Sequence, residues 1–499
     1  MAKNGDSDHE EKAHFVLVPV MAQGHTIPML DMARLLAGRG AAVTFVTTPL
    51  NFARIKSLAD SVANSGLPIH FLPLRFPCAE CGLPDGCENI DVLPSSDLLA
   101  SFWRACAMLR EPLASHLRHN SPAPPTCIIS DTGHPWTGDV AREFGIPRLS
   151  FPCFGAFAAL VRHVMYRFKI FENVADENEP VSVPYLPHRF ELAKAKAPGN
   201  FGGPGTDKFR EAALAEERRA DGIVVNTFDD LEASYVDAYG KIAGKKIWTV
   251  GPLSLCNRSV GETAARGRAS DVDVGHCLRW LDSKKHGSVV YVSFGSLART
   301  MPGQLIQVGL GLEASERPFV WVIKAGDRFA EVEEWLKAEG FEERVKDRGL
   351  IINGWAPQAA ILSHPAVGGF MTHCGWNSTL EGVAAGLPMI TWPHFGEQFL
   401  NETLIVESLK VGVPVGVQQM TQWGAENAQV FIKKDDVETA VGKLMDEGEE
   451  GEERRRRARE LGEKARRAME EGGSSYENTK LLIREIQAKN VHVDGKLTV

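Results

Sequence analysis

The chain has 499 residues, 44% of them hydrophobic and 24% charged, which is the composition of a globular protein with room for two or three domains. A formal net charge of −9 argues against a nucleic-acid partner, and no apolar run approaches the roughly 18 residues of a membrane span. Residues 1–13 are polar and lack the apolar core of a signal peptide, so we expect a cytoplasmic protein.

Strands and helices alternate along the first half of the chain. The apolar run 14–20 predicts a strand, 27–40 a helix that ends in glycine, and 42–48 the next strand. The strand-like segments that follow are IHFLPL, TCIIS, RLSF, GIVVN and IWTV. Such alternation is typical of a parallel sheet covered by helices on both faces, in which ligands bind at the carboxyl ends of the strands.

A second α/β unit is predicted after a break in this pattern. Small and polar residues dominate 253–275, which we interpret as a linker between a domain at 1–252 and a domain at 276–473. The alternation restarts at 288–296 and continues through FVWVI, LIIN, VGGFM and LPMIT. The charge run 446–471 pairs acids with arginines four residues apart, which predicts an exposed helix.

The segment 355–398 has the features of a nucleotide-diphosphate site. Its apolar run VGGFM predicts a buried strand, and HCGWNST after it predicts a turn and the start of a helix. Free backbone N–H groups at a helix start bind anions, especially phosphates. His373, Asn377 and Ser378 add side-chain donors there, and the indole of WAPQ and the acid of LEG can hold a base and a ribose.

The same 44 residues, from WAPQ through HCGWNS and LEG to the closing acid–Gln pair, resemble the signature of plant secondary-metabolite glycosyltransferases. Members of that family are inverting, UDP-sugar-dependent enzymes of the GT-B fold. The resemblance therefore implies two Rossmann-like, doubly wound parallel-sheet domains that face a cleft, with UDP-sugar bound by the C-terminal one. It also implies that the last predicted helix, at 474–490, crosses back to join the N-terminal domain.

The donor-site residues are likewise implied by the resemblance, residue by residue. In the order uracil, ribose, diphosphate and hexose they are Trp355; Gln358 and Glu381; Ser296, His373, Asn377 and Ser378; and Trp376, Glu397 and Gln398, with Ala356 and Gly375 completing the site. Gln398 at the last signature position resembles the glucose-using members, whereas histidine there is associated with galactose. UDP-glucose is therefore the expected co-substrate.

His25 and Asp131 are the candidate catalytic pair. His25 ends the loop VMAQGH after the first predicted strand, where an imidazole that titrates near neutral pH can accept a proton. The surrounding AQGH-x-IPMLD-x-ARLLA pattern resembles the family, which implies that His25 is the base and that Asp131, directly after TCIIS, supports it. The residues alone leave open a plain loop histidine and an aspartate that caps a helix.

No metal or cofactor is expected besides the co-substrate. The D-x-D triad at 271–273 is similar to the metal motif of the other large glycosyltransferase fold, but no apolar strand precedes it, so we interpret it as solvated linker charge. Cys78, Cys81 and Cys87 lack a convincing fourth metal ligand nearby. The helix start and its side-chain donors are expected to take the role of a cation.

The acceptor is expected to be a small lipophilic plant metabolite, namely a flavonoid or other phenolic, a triterpenoid or a steroid, because the whole chain resembles the clade that glucosylates them. In such a fold the acceptor contacts the N-terminal half, where Phe151, Phe154 and Phe157 can line a pocket or belong to the core. A monomer is expected. The alternatives are a non-catalytic UDP-sugar-binding protein and a GT-B-like sugar-nucleotide epimerase. A nicotinamide dehydrogenase is disfavoured because VMAQGH lacks the G-x-G-x-x-G fingerprint.

Overall fold

Two parallel β-sheets, one from each half of the chain, organise the structure. The computed structural model describes residues 12–121, 124–198, 205–257, 261, 263, 266, 270–324, 329–421 and 431–494, with side chains as far as Lys489. Residues 1–11 of the polar N-terminus and most of 258–269 in the predicted linker lie outside the described residues.

The strands of the N-terminal half are β1 (His14–Val18), β2 (Ala42–Thr47), β3 (Ile69–Pro73), β4 (Cys127–Asp131), β5 (Arg148–Phe151), β6 (Pro180–Ser182), β7 (Glu191–Ala193), β8 (Gly222–Val225) and β9 (Ile247–Thr249). The strands of the C-terminal half are β10 (Val289–Ser293), β11 (Phe319–Ile323), β12 (Gly349–Asn353), β13 (Val367–Thr372), β14 (Met389–Thr391) and β15 (Gly412–Pro414).

The α-helices of the N-terminal half are α1 (Gln23–Ala37), α2 (Pro49–Arg54), α3 (Lys56–Asn64), α4 (Leu99–Ala107), α5 (Arg110–His119), α6 (Thr137–Phe144), α7 (Ala156–Phe168), α8 (Asp207–Arg219) and α9 (Asp229–Ala243). Those of the remainder are α10 (Val274–Asp282), α11 (Pro302–Ala314), α12 (Phe329–Ala338), α13 (Phe341–Val345), α14 (Gln358–Leu362), α15 (Trp376–Ala385), α16 (Gln398–Thr403), α17 (Lys434–Leu444), α18 (Glu449–Met469) and α19 (Ser474–Asp494).

Both main sheets reverse their strand order beside their central strand. The first has the order β3-β2-β1-β4-β5-β8-β9 and the second the order β12-β11-β10-β13-β14-β15, with parallel neighbours, while β6 and β7 form a separate antiparallel pair. Every residue of β1 and β10 is buried, which explains the continuous apolar runs. The prediction of two doubly wound parallel sheets is confirmed, and each reversal leaves a crevice at the carboxyl edge where ligands bind in such sheets.

Helix α1 begins earlier than predicted. The sequence pattern predicts a helix from residue 27 with His25 in the preceding loop, whereas α1 begins at Gln23 and carries His25 in its first turn. Pro28 lies inside the helix, and it is the residue whose missing N–H would have bonded to the carbonyl of Gly24. Proline in the sixth helical position thus concealed the first turn from the sequence pattern.

The C-terminal helices brace both halves. Helix α18 crosses α15 closely, because a Cβ atom on Gly462 would lie 2.9 Å from the Cα of Gly386. The charge run predicts an exposed helix, but Arg454 on α18 is buried and donates to the Lys443 carbonyl at 2.8 Å. Helix α19 reaches the first sheet, where Ser475 Oγ donates to the carbonyl of Gly251. In the part of the chain that the structure describes, no helix combines the length and the apolar character needed to cross a bilayer.

Candidate active site

One cavity of about 930 Å³ lies where the carboxyl edges of the two sheets face each other. It is lined by loops that follow the strands of both sheets. All of the predicted site residues border it, namely His25, Asp131, Ser296, Trp355, Ala356, Gln358, His373, Gly375, Trp376, Asn377, Ser378, Glu381, Glu397 and Gln398. The N-terminal half contributes the first two of these residues and the C-terminal half contributes the rest.

A hydrogen bond joins the two catalytic candidates across 106 positions of sequence. His25 Nδ1 lies 2.6 Å from Asp131 Oδ2. Strands β1 and β4 are neighbours in register, so the first turn of α1 and the last residue of β4 meet at the same crevice. The side chain of Asp131 is 1% exposed and that of His25 is 32% exposed. Because Nδ1 is occupied by the carboxylate, Nε2 is the nitrogen left to accept a proton.

The carboxylate of Asp131 is held by further donors. Its Oδ1 accepts from the backbone N–H of Gly133 at 2.8 Å, and its Oδ2 accepts from Cys153 Sγ at 2.9 Å. Burial alone would raise the pKa of Asp131, but the charge and hydrogen bond of His25, aided by these donors, lower it to about 2. Asp131 therefore shapes the turn that follows β4 and remains ionised beside the imidazole.

The imidazole of His25 is tuned toward accepting a proton. Burial lowers its pKa, but the negative charge and the hydrogen bond of Asp131 raise it, and the charge of Glu397 adds to this effect, so the pKa lies above 6.5. The carboxylate thus stabilises an imidazolium and fixes the ring by its Nδ1 atom. This is the arrangement of a general base with an orienting acid.

Polar atoms of His25, Asp131 and Cys153 lie within 4.8 Å of one another, which is close enough to consider a metal site. Burial and the neighbouring Asp131 carboxylate raise the pKa of the Cys153 thiol well above 9. A protonated thiol is a poor metal ligand, because the thiolate is the form that binds metals. The cluster is better described as two donors that converge on one carboxylate.

The predicted linker charge at 271–273 has structural partners. Asp271 Oδ2 accepts from the backbone N–H of Trp355 at 2.7 Å, and Asp273 accepts from the first backbone N–H groups of α10. A Cβ atom on Gly354, which has a φ of +112°, would lie 2.3 Å from Asp271 Oδ2. Asp271 therefore shapes the turn that presents the indole of Trp355 to the cavity, a role that the D-x-D spacing did not predict.

The turn between β13 and α15 forms a corner of the cavity with the features predicted for an anion site, and we call it the anion-binding corner. Gly375 precedes α15 and has no side chain to cap it, and the N–H of Trp376 bonds to the Glu397 carboxylate, so the N–H groups of Asn377 and Ser378 are the ones left for a ligand. The ring of His373 is enclosed by glycines, because a Cβ atom on Gly295 or Gly375 would lie 2.5 or 2.4 Å from it. Burial lowers the pKa of His373 to about 4, so this imidazole is neutral near pH 7. Cys374 has a φ of +63°, a strained value for a side-chain-bearing residue.

The two residues predicted to hold the ribose are in contact. Gln358 Nε2 donates to Glu381 Oε2 at 2.8 Å and to Ser378 Oγ at 3.1 Å, and Tyr291 donates to Gln358 Oε1 at 3.3 Å. Ser378, which was predicted beside the diphosphate, thus also adjoins the ribose pair. Arg266, from the predicted linker, forms an ion pair with Glu381. No sequence signal marked Arg266, because its local sequence has no regular pattern.

The anion-binding corner is bonded to the N-terminal half. Asn377 Nδ2 donates to the carbonyl of Gly24, which is the carbonyl that Pro28 leaves without its helical N–H partner. The indole N–H of Trp376 donates to the carbonyl of Asn226 at 2.8 Å. Both side chains were predicted to contact the donor, but their polar atoms bridge the two halves.

The residues predicted to contact the hexose are fixed by their own loop. Gln398 Oε1 accepts from the backbone N–H of His394 at 2.7 Å and of Phe395 at 3.1 Å. This leaves the amide NH₂ of Gln398 as the group available to a ligand. Burial raises the pKa of Glu397, while hydrogen bonds and the charge of His25 act in the opposite direction.

Aromatic and apolar side chains form much of the cavity wall near α4, α7 and α8, where Arg162 and Arg210 also border it, and we call this wall the apolar side. Phe154 lines it, whereas Phe151 and Phe157 are 0% and 1% exposed and belong to the core. Trp103 and Phe209 stack with ring centroids 4.3 Å apart, and both border the cavity. Sequence analysis missed this aromatic pair. It also missed Cys153, although its position just after β5 is the signal that identified Asp131 after β4.

The chain is similar to glycosyltransferases along most of its length. A family model described as "UDP-glucoronosyl and UDP-glucosyl transferase" matches residues 275–440, and one described as "Glycosyltransferase, N-terminal domain" matches residues 11–183. UDP-glycosyltransferase 73C5 of Arabidopsis thaliana is 46% identical over 477 residues, which cover 95% of this chain and 96% of that relative.

Solved structures of plant enzymes superpose on the whole fold. Glycyrrhiza uralensis UGT73P12, complexed with glycyrrhetinic acid 3-O-monoglucuronide, gives a TM-score of 0.88 at 36% identity and covers 97% of this chain and 98% of its own. Medicago truncatula UGT71G1, complexed with UDP-glucose, gives a TM-score of 0.76 at 25% identity and covers 96% of this chain and 100% of its own.

The open carbonyl of Gly24 gives a prediction about coupling between the two halves. Pro28→Ala supplies the missing helical N–H, so Asn377→Ala should destabilise the protein by about 1 kcal/mol in the natural background and by clearly less beside Pro28→Ala. Urea unfolding of the single and double variants measures this difference. Pro49→Ala, at the first position of α2, is the matched control and should not change the cost of Asn377→Ala. Strict additivity for Pro28→Ala would contradict the assignment.

The carboxylate beside His25 gives a prediction about pH. Asp131→Asn removes the negative charge that raises the pKa of His25, so burial dominates and the pKa should fall below its value in the natural protein. The ring is then neutral at lower pH. NMR titration of the His25 ring, with His25→Ala to assign the signal, measures this. Asp139→Asn, an exposed carboxylate on α6, should leave the titration unchanged. An unaltered His25 titration in Asp131→Asn would refute the electrostatic argument.

Proposed function

The chain belongs to the plant family 1 UDP-glycosyltransferases, and from this premise we propose that it transfers glucose from UDP-glucose to a hydroxyl group of a small lipophilic metabolite. The reaction inverts the configuration at the anomeric carbon of the sugar. The observation that carries the proposal is the hydrogen bond of 2.6 Å between His25 and Asp131 in the same cavity as the anion-binding corner. A base and a phosphate site are thereby available to one bound pair of substrates.

The proposed mechanism is a single displacement. Nε2 of His25 takes the proton of the acceptor hydroxyl. The hydroxyl oxygen attacks the anomeric carbon of the sugar from the face opposite UDP. The bond between that carbon and the diphosphate oxygen breaks, and UDP leaves with the electron pair. Asp131 stabilises the imidazolium that forms, since its pKa of about 2 keeps it ionised throughout.

We assign stabilisation of the departing diphosphate to the chain itself. The donors we assign to it are the N–H groups of Asn377 and Ser378 in the first turn of α15 and the neutral ring of His373, which can donate one hydrogen bond. On this proposal no metal ion or cofactor is required, because these donors take up the negative charge that develops on UDP.

UDP-glucose is proposed as the donor on two grounds. Gln398 presents its amide NH₂ at the hexose end, as in the glucose-using members that the signature resembles. The similar Medicago truncatula UGT71G1 was solved with UDP-glucose. Gln358 and Glu381 are proposed to bind the ribose hydroxyls, and Trp355 to stack on uracil.

A lipophilic acceptor fits the apolar side of the cavity. The stacked pair of Trp103 and Phe209 and the ring of Phe154 offer flat apolar faces, which suit fused-ring phenolics, triterpenoids and steroids. The similar Glycyrrhiza uralensis UGT73P12 was solved with glycyrrhetinic acid 3-O-monoglucuronide. All nine cysteines are free, and we therefore propose that the protein works in the reducing cytoplasm. We also propose that it works as a monomer.

The test of the proposed function is a screen of plant extracts with UDP-glucose, followed by a matched variant. Mass spectrometry should detect acceptors that gain one hexose, and NMR should identify the product as a β-glucoside. With an aliphatic alcohol acceptor, His25→Ala should lower kcat by about 10²–10⁴-fold, because a poorly acidic hydroxyl needs the base. An acidic phenol should retain more activity.

The control is His119→Ala, an exposed histidine at the end of α5, which should leave kcat unchanged. Full activity of His25→Ala on an alcohol would sink the base assignment. Product formed with retention of anomeric configuration would sink the single displacement.

The bonds of Gln398 lead to a prediction about donor choice. Histidine at this position cannot accept both loop N–H groups, so Gln398→His should lose roughly tenfold in kcat/KM for UDP-glucose without gaining activity on UDP-galactose. Gln398→Glu keeps the accepting oxygens and loses only the NH₂ donor, which separates the two contributions. Steady-state rates with both donors decide the matter, and a gain of galactosyl transfer in Gln398→His would contradict the prediction.

A further inference from the structure

Arg266 is a buried cation between helices of the two halves. Its Nε donates to Asp31 Oδ2 at 2.7 Å, and its Nη1 donates to Glu381 Oε1. The guanidinium side chain is 6% exposed, Asp31 is 0% exposed and Glu381 is 8% exposed. Asp31 lies on α1, six residues after His25, and Glu381 lies on α15, the helix of the anion-binding corner. One guanidinium therefore ties the helix of the base to the helix of the phosphate site.

Only one of the two carboxylates bonded to Arg266 is placed to accept hydrogen bonds from a ligand in the cavity. Asp31 Oδ1 accepts from Asn257 Nδ2 at 2.9 Å, and this carboxylate is completely buried and does not border the cavity. Glu381 borders the cavity and receives Arg266 on one oxygen and Gln358 on the other. A carboxylate offers about four acceptor directions, so Glu381 retains room for two further donors on its cavity side.

An unsupported Glu381 would be a poor ligand for a sugar. Without the guanidinium, Glu381 Oε1 would lose its hydrogen bond and the side chain could rotate away from its place beside Gln358. Fixed by Arg266 and Gln358, the carboxylate keeps one orientation at the border of the cavity. Hydrogen bonds to an ionised acceptor are about twice as strong as neutral ones.

We propose that Arg266 is a positioning residue that holds the Glu381 carboxylate for the two ribose hydroxyls of the UDP-sugar, anchored through Asp31 to the helix that carries His25. This inference rests on the proposed assignment of Glu381 to the ribose. Arg266 borders the cavity, but its guanidinium bonds to the two carboxylates, so we infer that it acts through Glu381. Its loss therefore affects recognition of the nucleoside, not the chemical step.

The experiment compares UDP with 2′,3′-dideoxy-UDP by calorimetry. The natural protein should bind UDP about tenfold to a hundredfold more tightly than dideoxy-UDP, because each ribose hydroxyl bonds to a charged acceptor. Arg266→Gln should reduce that preference at least about fivefold and change the affinity for dideoxy-UDP less than about twofold. In steady-state assays the KM for UDP-glucose should rise while kcat at saturating donor stays within about twofold, a split that general damage to the fold would not give.

Three further variants complete the design. Arg279→Gln removes an exposed arginine of α10, 70% exposed in its side chain, and should leave the UDP preference unchanged. Arg266→Lys keeps the charge but not the two-pronged geometry, so it should fall between the natural protein and Arg266→Gln and provides a measurement if Arg266→Gln does not fold. Glu381→Gln should remove most of the preference by itself, since only Gln358 then remains for the ribose, and Arg266→Gln added to it should reduce the preference no further.

The outcomes distinguish a failure of the role inferred for Arg266 from a failure of the assignment of Glu381 to the ribose. If Glu381→Gln keeps the natural preference for UDP, the ribose assignment fails and takes the inference with it. If Glu381→Gln loses the preference while Arg266→Gln and Arg266→Lys keep it, the role of Arg266 alone is overturned. Tighter binding of UDP by Arg266→Gln would also overturn it, because Arg266 would then compete with the ribose for Glu381.

Discussion

The carbonyl of Gly24 is the contact on which the geometry of the cavity depends. A helix normally closes each carbonyl with the N–H four residues later, and Pro28 removes that donor. The carbonyl of Gly24 lies beside His25 in the sequence. It accepts a hydrogen bond from the side-chain amide of Asn377, which lies in the first turn of α15. Base and phosphate corner come from different sheets, so their spacing is set by such cross-contacts, together with the indole bond of Trp376 to Asn226.

The sequence predicted the site best where the information is local. Strand, turn and helix start all fall within 355–398, and a glycine between an apolar run and a polar cluster indicates its own backbone geometry. The strand-edge rule also brought Asp131 and His25 to one crevice. Their hydrogen bond spans 106 positions, and no periodicity encodes which loops of a sheet edge touch.

What escaped prediction was structure determined by tertiary contact. The first turn of α1 was concealed by Pro28, since a proline inside an apolar pattern argues for a helix that begins later. Arg266 stands in a stretch without periodicity, and its meaning depends on two carboxylates 235 and 115 positions away. Cys153 follows the carboxyl end of strand β5, a position typical of site residues, but a thiol there is not by itself a sign of a role beside Asp131.

Electrostatics differ between the two sides of the cavity, and the difference bears on how often the enzyme can repeat its cycle. Acids surround the base, whereas the imidazole at the phosphate corner is uncharged, because burial lowers the pKa of His373 to about 4. A permanent cation there would hold the spent nucleotide by full ion pairing, and slow escape of the by-product often limits turnover. On the proposed assignment, the neutral ring of His373 contributes one hydrogen bond and no ion pair, so it holds UDP less tightly after transfer than a permanent cation at the same position would.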